Sequence, residues 1–370
     1  MEKDLIMGFN CGIVGLPNVG KSTIFNALTS AKAESANYPF CTIDPNVGIV
    51  QVPDVRMHKL AEYVNPERIL PTTMEVVDIA GLVKGASKGE GLGNQFLGHI
   101  RSVDAIIHVV RCFDDENVVH VSGSIDPLRD IEIIQTELAL ADLDSVEKRL
   151  SRVEKQAKNG DPKLKAEADF SVRVKQALEE RLSARGVAET DDERLIMREM
   201  NLLTDKPVLY VANVAEEDLT GLHPFVGQVK ELAEREGAKV VVICGSIEAE
   251  ISELEEEEKE LFLTELGLNE SGLDRLIRTG YELLGLSTYF TAGKKEVRAW
   301  TISAGTRAPQ AAAVIHTDFE KGFIRAEVIA YTDYVRAAGE TGAKEKGLMR
   351  LEGKEYVVQD GDVMHFRFNV

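Results

Sequence analysis

The stretch Cys11-Gly12-Ile13-Val14-Gly15-Leu16-Pro17-Asn18-Val19-Gly20-Lys21-Ser22-Thr23 decides how the rest of the chain is read. Cys11–Val14 is a short apolar, strand-like run, and Thr23 to Leu28 opens a helix. Between them, residues 15–22 match G-x-x-x-x-G-K-[ST] in the strand, turn, helix context that gives this motif its meaning. Glycine at 15 and 20 lets backbone amides converge on phosphate oxygens, and the helix start adds its own N–H groups. Lys21 reaches the terminal phosphates and Ser22 offers its hydroxyl to Mg2+. Asn18, Val19, Gly20, Lys21, Ser22 and Thr23 are therefore the candidate phosphate-binding positions.

Outward from this cradle, Gly48–Val52, Thr73–Val77 and Ala105–Val110 read as further strands alternating with helical stretches, which predicts an α/β fold with a mostly parallel sheet. From Pro127 to about Met200 strand signals vanish. Leu143, Val146, Leu150 and Val153 step by three and four, Asn159-Gly160-Asp161-Pro162 breaks the pattern, and Phe170, Val174, Leu178 and Leu182 resume it. This predicts an antiparallel helical hairpin, partly coiled-coil, over residues 128–200. Sheet character returns at Val208–Asn213 and Lys239–Cys244, so the hairpin is inserted into a discontinuous nucleotide domain spanning 9–284. The acidic run Glu253–Glu260 reads as a solvated helix face. After about Leu284, strand-like segments at Glu296–Ile302, Phe323–Ala330, Glu355–Val358 and Asp362–Phe368 predict a small β-rich domain over 285–368.

The length of 370 residues fits two or three domains, and 44% hydrophobic with 28% charged residues is globular composition, neither fibrous nor disordered. With 62 acidic against 43 basic residues, the formal charge is −19, and the bulk field repels nucleic acid and anionic membrane. RNA binding would need a local basic patch. The apolar runs are too short to span a bilayer and the N-terminus has no apolar leader region, so a cytoplasmic address is expected. Cys11, Cys41, Cys112 and Cys244 lie far apart without Cys-x-x-Cys, the pattern of buried reduced thiols.

Asp78 ends an apolar strand and is followed by Ile79-Ala80-Gly81, the Walker B arrangement. Its carboxylate is expected to act on Mg2+ and Gly81 to let its amide approach the γ-phosphate. Thr42 is the loop hydroxyl that completes the metal shell. After Gly81 stands Leu82, where Ras-like GTPases carry the glutamine that orients the attacking water. Leucine cannot orient water, so either hydrolysis is slow or another group supplies the function. His120 and a K+ ion near Asn18 are the candidates, with a packed or solvent-facing histidine the plain alternative for His120. GTPases end a later strand in Asn-Lys-x-Asp, whose carboxylate accepts from both guanine N1–H and the 2-amino group. Here that strand ends in Asn213-Val214-Ala215-Glu216. Asn213 can still meet the purine N7 edge, but Val214 replaces the lysine stem and Glu216 is a methylene longer. Adenine has no 2-amino group, so relaxed or reversed specificity toward ATP is expected. Ser246-Ile247-Glu248 takes the place of the loop flanking the base.

Together these residues resemble the Obg-like P-loop NTPases, and most closely the YchF/Obg-like ATPase family, over nearly the whole chain. The resemblance implies a ribosome-associated, Mg2+-dependent ATPase acting in translation that also accepts GTP. It implies a hydrophobic residue at the position of Leu82 and a histidine at His120 that assists hydrolysis. It also implies that 285–368 is a β-grasp TGS domain linked to RNA or ribosome contacts. The basic residues Lys294, Lys295, Arg298, Arg307, Arg325, Lys344, Lys346 and Arg350 would form its patch, and Glu320, Glu327, Glu340 and Glu345 interleave with them. Two functions compete on this evidence, a nucleotide-dependent switch on the ribosome and a nucleotide-stabilised scaffold with incidental hydrolysis.

Overall fold

Strand β1 (Asn10–Val14) leads through the glycine-rich turn into helix α1 (Lys21–Ser30). The computed structural model describes residues 9–30, 46–79, 92–115, 120–121, 123–158 and 160–369. Next come β2 (Val47–Gln51), α2 (Val55–Val64), β3 (Arg68–Leu70), β4 (Thr73–Asp78), α3 (Leu92–Ser102) and β5 (Ala105–Arg111). The helical insert is α4 (Pro127–Ala157), α5 (Pro162–Arg181) and α6 (Asp191–Met200). The chain then returns through β6 (Val208–Asn213), α7 (Pro224–Glu236), β7 (Lys239–Ile243), α8 (Gly245–Ser252), α9 (Glu256–Glu265) and α10 (Gly272–Leu283). The first sheet has the order β2-β4-β1-β5-β6-β7 and is parallel through β1, β5, β6 and β7. Every residue of β5 and of β6 is buried, as the unbroken apolar runs of central parallel strands require.

By its packing the chain divides into two units, Asn10–Gly48 with Val76–Leu276, and Met1–Phe9 with Ile49–Glu75 and Ile277–Val370. The insert belongs to the first. Helix α4 starts where Asp126 accepts from Arg129 N at 3.1 Å and Pro127 takes the first helical position. Asp161 and Pro162 repeat this device for α5, and Thr190 with Glu193 forms a capping box on α6. Val146, Phe170, Val174 and Leu178, the periodic residues of the sequence, are buried in the insert's own core. Its base is pinned by the buried Asp142, whose carboxylate accepts from Leu203 N at 3.0 Å and from Thr204 N and Oγ1 at 2.8 Å each.

In the second unit follow β8 (Leu286–Ala292), β9 (Glu296–Ser303), α11 (Ala308–Ile315), α12 (Thr317–Lys321), β10 (Phe323–Ala330), α13 (Tyr331–Arg336), α14 (Glu340–Glu345), β11 (Arg350–Glu352) and β12 (Asp362–Phe368). Their sheet runs β11-β10-β12-β8-β9-β3. Neighbouring residues along its strands point to opposite faces. Tyr289, Val328 and Met364 enter one core, with Ala308, Ala311 and Ala312 of α11. Phe290, Ile329 and Val363 enter a second core, which Met57 and Leu60 of α2 complete.

Two expectations change here. The segment between β2 and β4, which carries α2 and β3, packs with the C-terminal unit, whereas the sequence reading placed it in the nucleotide domain; β2 and β4 themselves are strands of the first sheet. α2 covers one apolar face of the C-terminal sheet and β3 extends it, Ile69 lying opposite Val297 in parallel register. A pairing across more than 200 positions leaves no trace in local periodicity. Glu355–Val358 is not a strand but makes an isolated antiparallel bridge from Val357 to Arg307, and β11 lies just before it. Cys11, Cys112 and Cys244 are buried thiols, and burial pushes Cys11 and Cys112 up to about 12. Cys41 lies outside the described residues. No described helix is long and apolar enough to cross a membrane.

Asp142→Ala leaves the Leu203 and Thr204 amides buried without their acceptor. The expected loss is about 2–4 kcal/mol of stability, read as a lower denaturant midpoint with unchanged slope.

Candidate functional site

The turn between β1 and α1 is shaped by positions where a side chain does not fit. A Cβ on Gly15 would sit 2.5 Å from the Val109 carbonyl oxygen. One on Gly20, whose φ is +97°, would sit 2.3 Å from Asn213 Nδ2. Asn18 adopts the left-handed region at φ 61°, which asparagine tolerates better than most residues. Lys21 is buried and its Nζ donates to the Leu16 carbonyl at 2.8 Å, so the ammonium lies across the inside of the loop. Ser22 and Thr23 are exposed.

Burial holds the Lys21 ammonium below its ordinary value, an effect that Asp78 opposes. Burial likewise pushes the Asp78 carboxyl up, and Lys21 opposes that. Asp78 closes β4, where its amide donates to Asn46 O at 2.8 Å. Its Oδ1 is buried and makes no hydrogen bond among the described residues. An orphaned carboxylate oxygen at the strand end, with the Ser22 hydroxyl at the cradle, is the oxygen donor set that a hard divalent cation takes. The residues present therefore fit Mg2+. Below the cradle, His108 of β5 is buried against the Tyr210 ring, 5.5 Å between centroids. Burial, then the Lys21 charge, brings it down to about 3, so it stays neutral.

Asn213 joins the cradle to the base side. Its Nδ2 donates to Val19 O at 2.9 Å and its Oδ1 accepts from Gly245 N at 3.0 Å, with the residue 4% exposed. Val214 is buried and its amide donates to Ile243 O, so this position lays no side chain over a base. Glu216 is exposed, and its Oε1 accepts from Ser246 Oγ at 3.0 Å. Ser246 is in α8, as is Glu248, whose carboxylate accepts from Gly272 N at 2.6 Å and Leu273 N at 3.2 Å and thereby caps α10.

His120 is buried rather than solvent-facing, and its Nε2 lies 2.8 Å from Asp130 Oδ2 in the first turn of α4. Arg129 holds the other carboxylate oxygen through Nε at 3.2 Å and Nη2 at 3.0 Å. Sequence reading missed Asp130. Its only signal is its place one turn beyond the Asp126-Pro127 helix start. Sequence reading also missed Arg111, fully buried at the end of β5, which donates to Phe113 O and Asp115 O at 3.2 Å each and so shapes the loop beyond β5. The structure thus brings Asn18 to Thr23, Asn213, Glu216 and Ser246 to the ends of β1, β6 and β7, and Asp78 to the end of β4 in the same sheet. Thr42, Gly81 and Leu82 lie outside the described residues.

A parallel sheet with a glycine cradle, a buried lysine and a strand-end aspartate defines a P-loop nucleoside triphosphatase of the GTPase type. Residues 10–144 match the MMR_HSR1 family, described as "50S ribosome-binding GTPase", and residues 286–369 match YchF-GTPase_C, described as "Protein of unknown function (DUF933)". The ribosome-binding ATPase YchF of Haemophilus ducreyi is 63% identical over 98% of this chain and 100% of its own length. The Bacillus subtilis protein of that name is 59% identical with the same coverage. The solved Schizosaccharomyces pombe YchF GTPase superimposes with a TM-score of 0.87 at 40% identity, covering 97% of this chain and 98% of its own. The chain belongs to the YchF family.

Asn213→Ala removes both hydrogen bonds that tie the cradle to α8. The expected result is at least tenfold weaker binding of ATP and GTP alike by calorimetry.

Proposed function

We propose that this protein is a cytoplasmic, ribosome-associated ATPase that prefers ATP to GTP and switches its ribosome contact with nucleotide state. The observation that carries the base preference is the strand end after Asn213. Val214 is turned into the core and the longer Glu216 is engaged by Ser246. Guanine needs a carboxylate set squarely against N1–H and the 2-amino group, and its absence costs a base that presents both donors. Adenine presents neither demand, and Asn213 Nδ2 keeps a second hydrogen for N7. The relatives named ribosome-binding ATPase support the ribosomal partner.

In this reading, the amides of Asn18 to Thr23 and the Lys21 ammonium hold the β- and γ-phosphates. Mg2+, when bound, would supply positive charge to those oxygens. Ser22, Thr42 and Asp78 would hold the metal, and the Gly81 amide would serve the γ-phosphate. His120, oriented by Asp130, positions the attacking water in place of the glutamine that Leu82 replaces. Asn18 would hold a K+ ion, which would supply further positive charge beside the cradle. The C-terminal unit serves as the TGS module, with RNA contacts on its surface.

Side-by-side calorimetry tests the base preference: ATP should bind more tightly than GTP, and the reverse order sinks it. Lys21→Ala should abolish the nucleotide dependence of co-sedimentation with ribosomes, whereas binding unaffected by nucleotide in the intact protein supports a scaffold instead. His120→Ala should lower turnover by about 10²-fold with unchanged ATP affinity. Equal loss of both reduces His120 to a packing residue.

A further inference from the structure

Helices α4 and α5 meet at a turn that carries a charge distribution unlike the rest of the chain. Between Leu150 and Ala166 stand five basic residues, Arg152, Lys155, Lys158, Lys163 and Lys165, against two acidic ones, Glu154 and Asp161, in a protein of net charge −19. All five are exposed. Asp161 is committed to the start of α5, where its Oδ1 accepts from Lys163 N at 2.9 Å.

Nearer the base of the same hairpin the cations are neutralised. Arg149 pairs with Glu167 and Glu199, Lys175 with Glu147, Arg173 with Glu193, and Lys148 with Asp144. At the tip none of the five makes an ion pair among the described residues. A merely solubilising face would mix signs throughout, as the base does. Concentrating unneutralised like charge costs self-repulsion, which an anionic partner would relieve.

The tip also stands clear of the core. The last buried residue of α4 is Val153 and the first of α5 is Phe170, and no described residue between them is buried. Arg152 and Lys155 lie three apart on one helix face, and Lys158, Lys163 and Lys165 flank the turn. The segment carries no exposed large apolar side chain. A protein interface is anchored by aromatic or apolar groups at its centre, whereas lysine and arginine suffice to meet a phosphate backbone without such an anchor.

We infer that the tip of the α4–α5 hairpin, through Arg152, Lys155, Lys158, Lys163 and Lys165, is a surface that contacts the phosphate backbone of RNA. This deepens the ribosome-associated reading by naming the partner chemistry, and in the cell it rests on that reading. The contact is independent of base identity and of the C-terminal unit.

The test uses the full chain and its Lys155→Gln, Lys158→Gln, Lys163→Gln, Lys165→Gln combination. Binding to purified ribosomes and to protein-free ribosomal RNA is measured over a series of KCl concentrations. Four lost phosphate contacts should reduce the slope of log affinity against log salt by about 3, and affinity near 0.1 M salt should fall at least tenfold on both targets. The matching Lys→Arg combination should retain both slope and affinity. Basal ATP hydrolysis and melting temperature should be unchanged in both variants, since these side chains touch neither the cradle nor the core. An unchanged slope in the Gln variant overturns the inference. So does an equal loss in the Arg variant, or a loss on ribosomes with none on protein-free RNA, which assigns the tip to a ribosomal protein. Tip-dependent binding to free RNA by a chain that does not sediment with ribosomes sustains this inference and defeats the ribosomal reading.

Discussion

The nucleotide site hangs on one buried amide. The cradle can present converging N–H groups only if its backbone is held against its preference to relax, and Asn213 holds it from the end of β6, two strands along the same sheet edge. With one hydrogen bond to Val19 O and one to Gly245 N, this side chain fixes the separation of the phosphate loop from the start of α8. Gly20 is glycine partly because Asn213 occupies the space a Cβ would need. Parallel strands make this possible. β1, β5, β6 and β7 all deliver their C-terminal ends to one edge, so loops remote in sequence become neighbours. At that edge burial works against both charges, and Lys21 and Asp78 each partly offset the other's desolvation.

The C-terminal unit follows a different logic. Its sheet is apolar on both faces, and a two-faced sheet needs two covers. α11 supplies one, and the other is α2, drawn from the segment between α1 and β4. Burying Met57 and Leu60 there contributes roughly 2 kcal/mol each. As a consequence, the chain leaving β2 of the first sheet contributes α2 and β3 to the C-terminal unit before it returns as the strand that carries Asp78.

His120 shows how a residue of ambiguous type acquires a defined place. In isolation a lone histidine carries little information. Here it is buried against Asp130, which is itself gripped by Arg129, and that arrangement fixes the ring through Nε2. A carboxylate bonded to a histidine ring nitrogen is an arrangement that acid–base sites share with purely structural pairs.

Local sequence alone determined the cradle, the parallel α/β sheet and the helical insert. Their signals are short-range: Gly15 to Ser22 within one turn, apolar runs a strand long, and Val146 to Leu178 at helical spacing. It also located Asp78, Asn213, Glu216 and Ser246, because strand ends in such a sheet fall at predictable points. What only the tertiary structure decided is long-range. No local pattern announces that β3 pairs with β9, that α2 roofs a sheet formed some 230 residues later, or that Asp130 meets His120. Those pairings are selected by which apolar faces and buried polar groups remain unsatisfied once the local elements exist, a property of the assembled chain rather than of any segment of it.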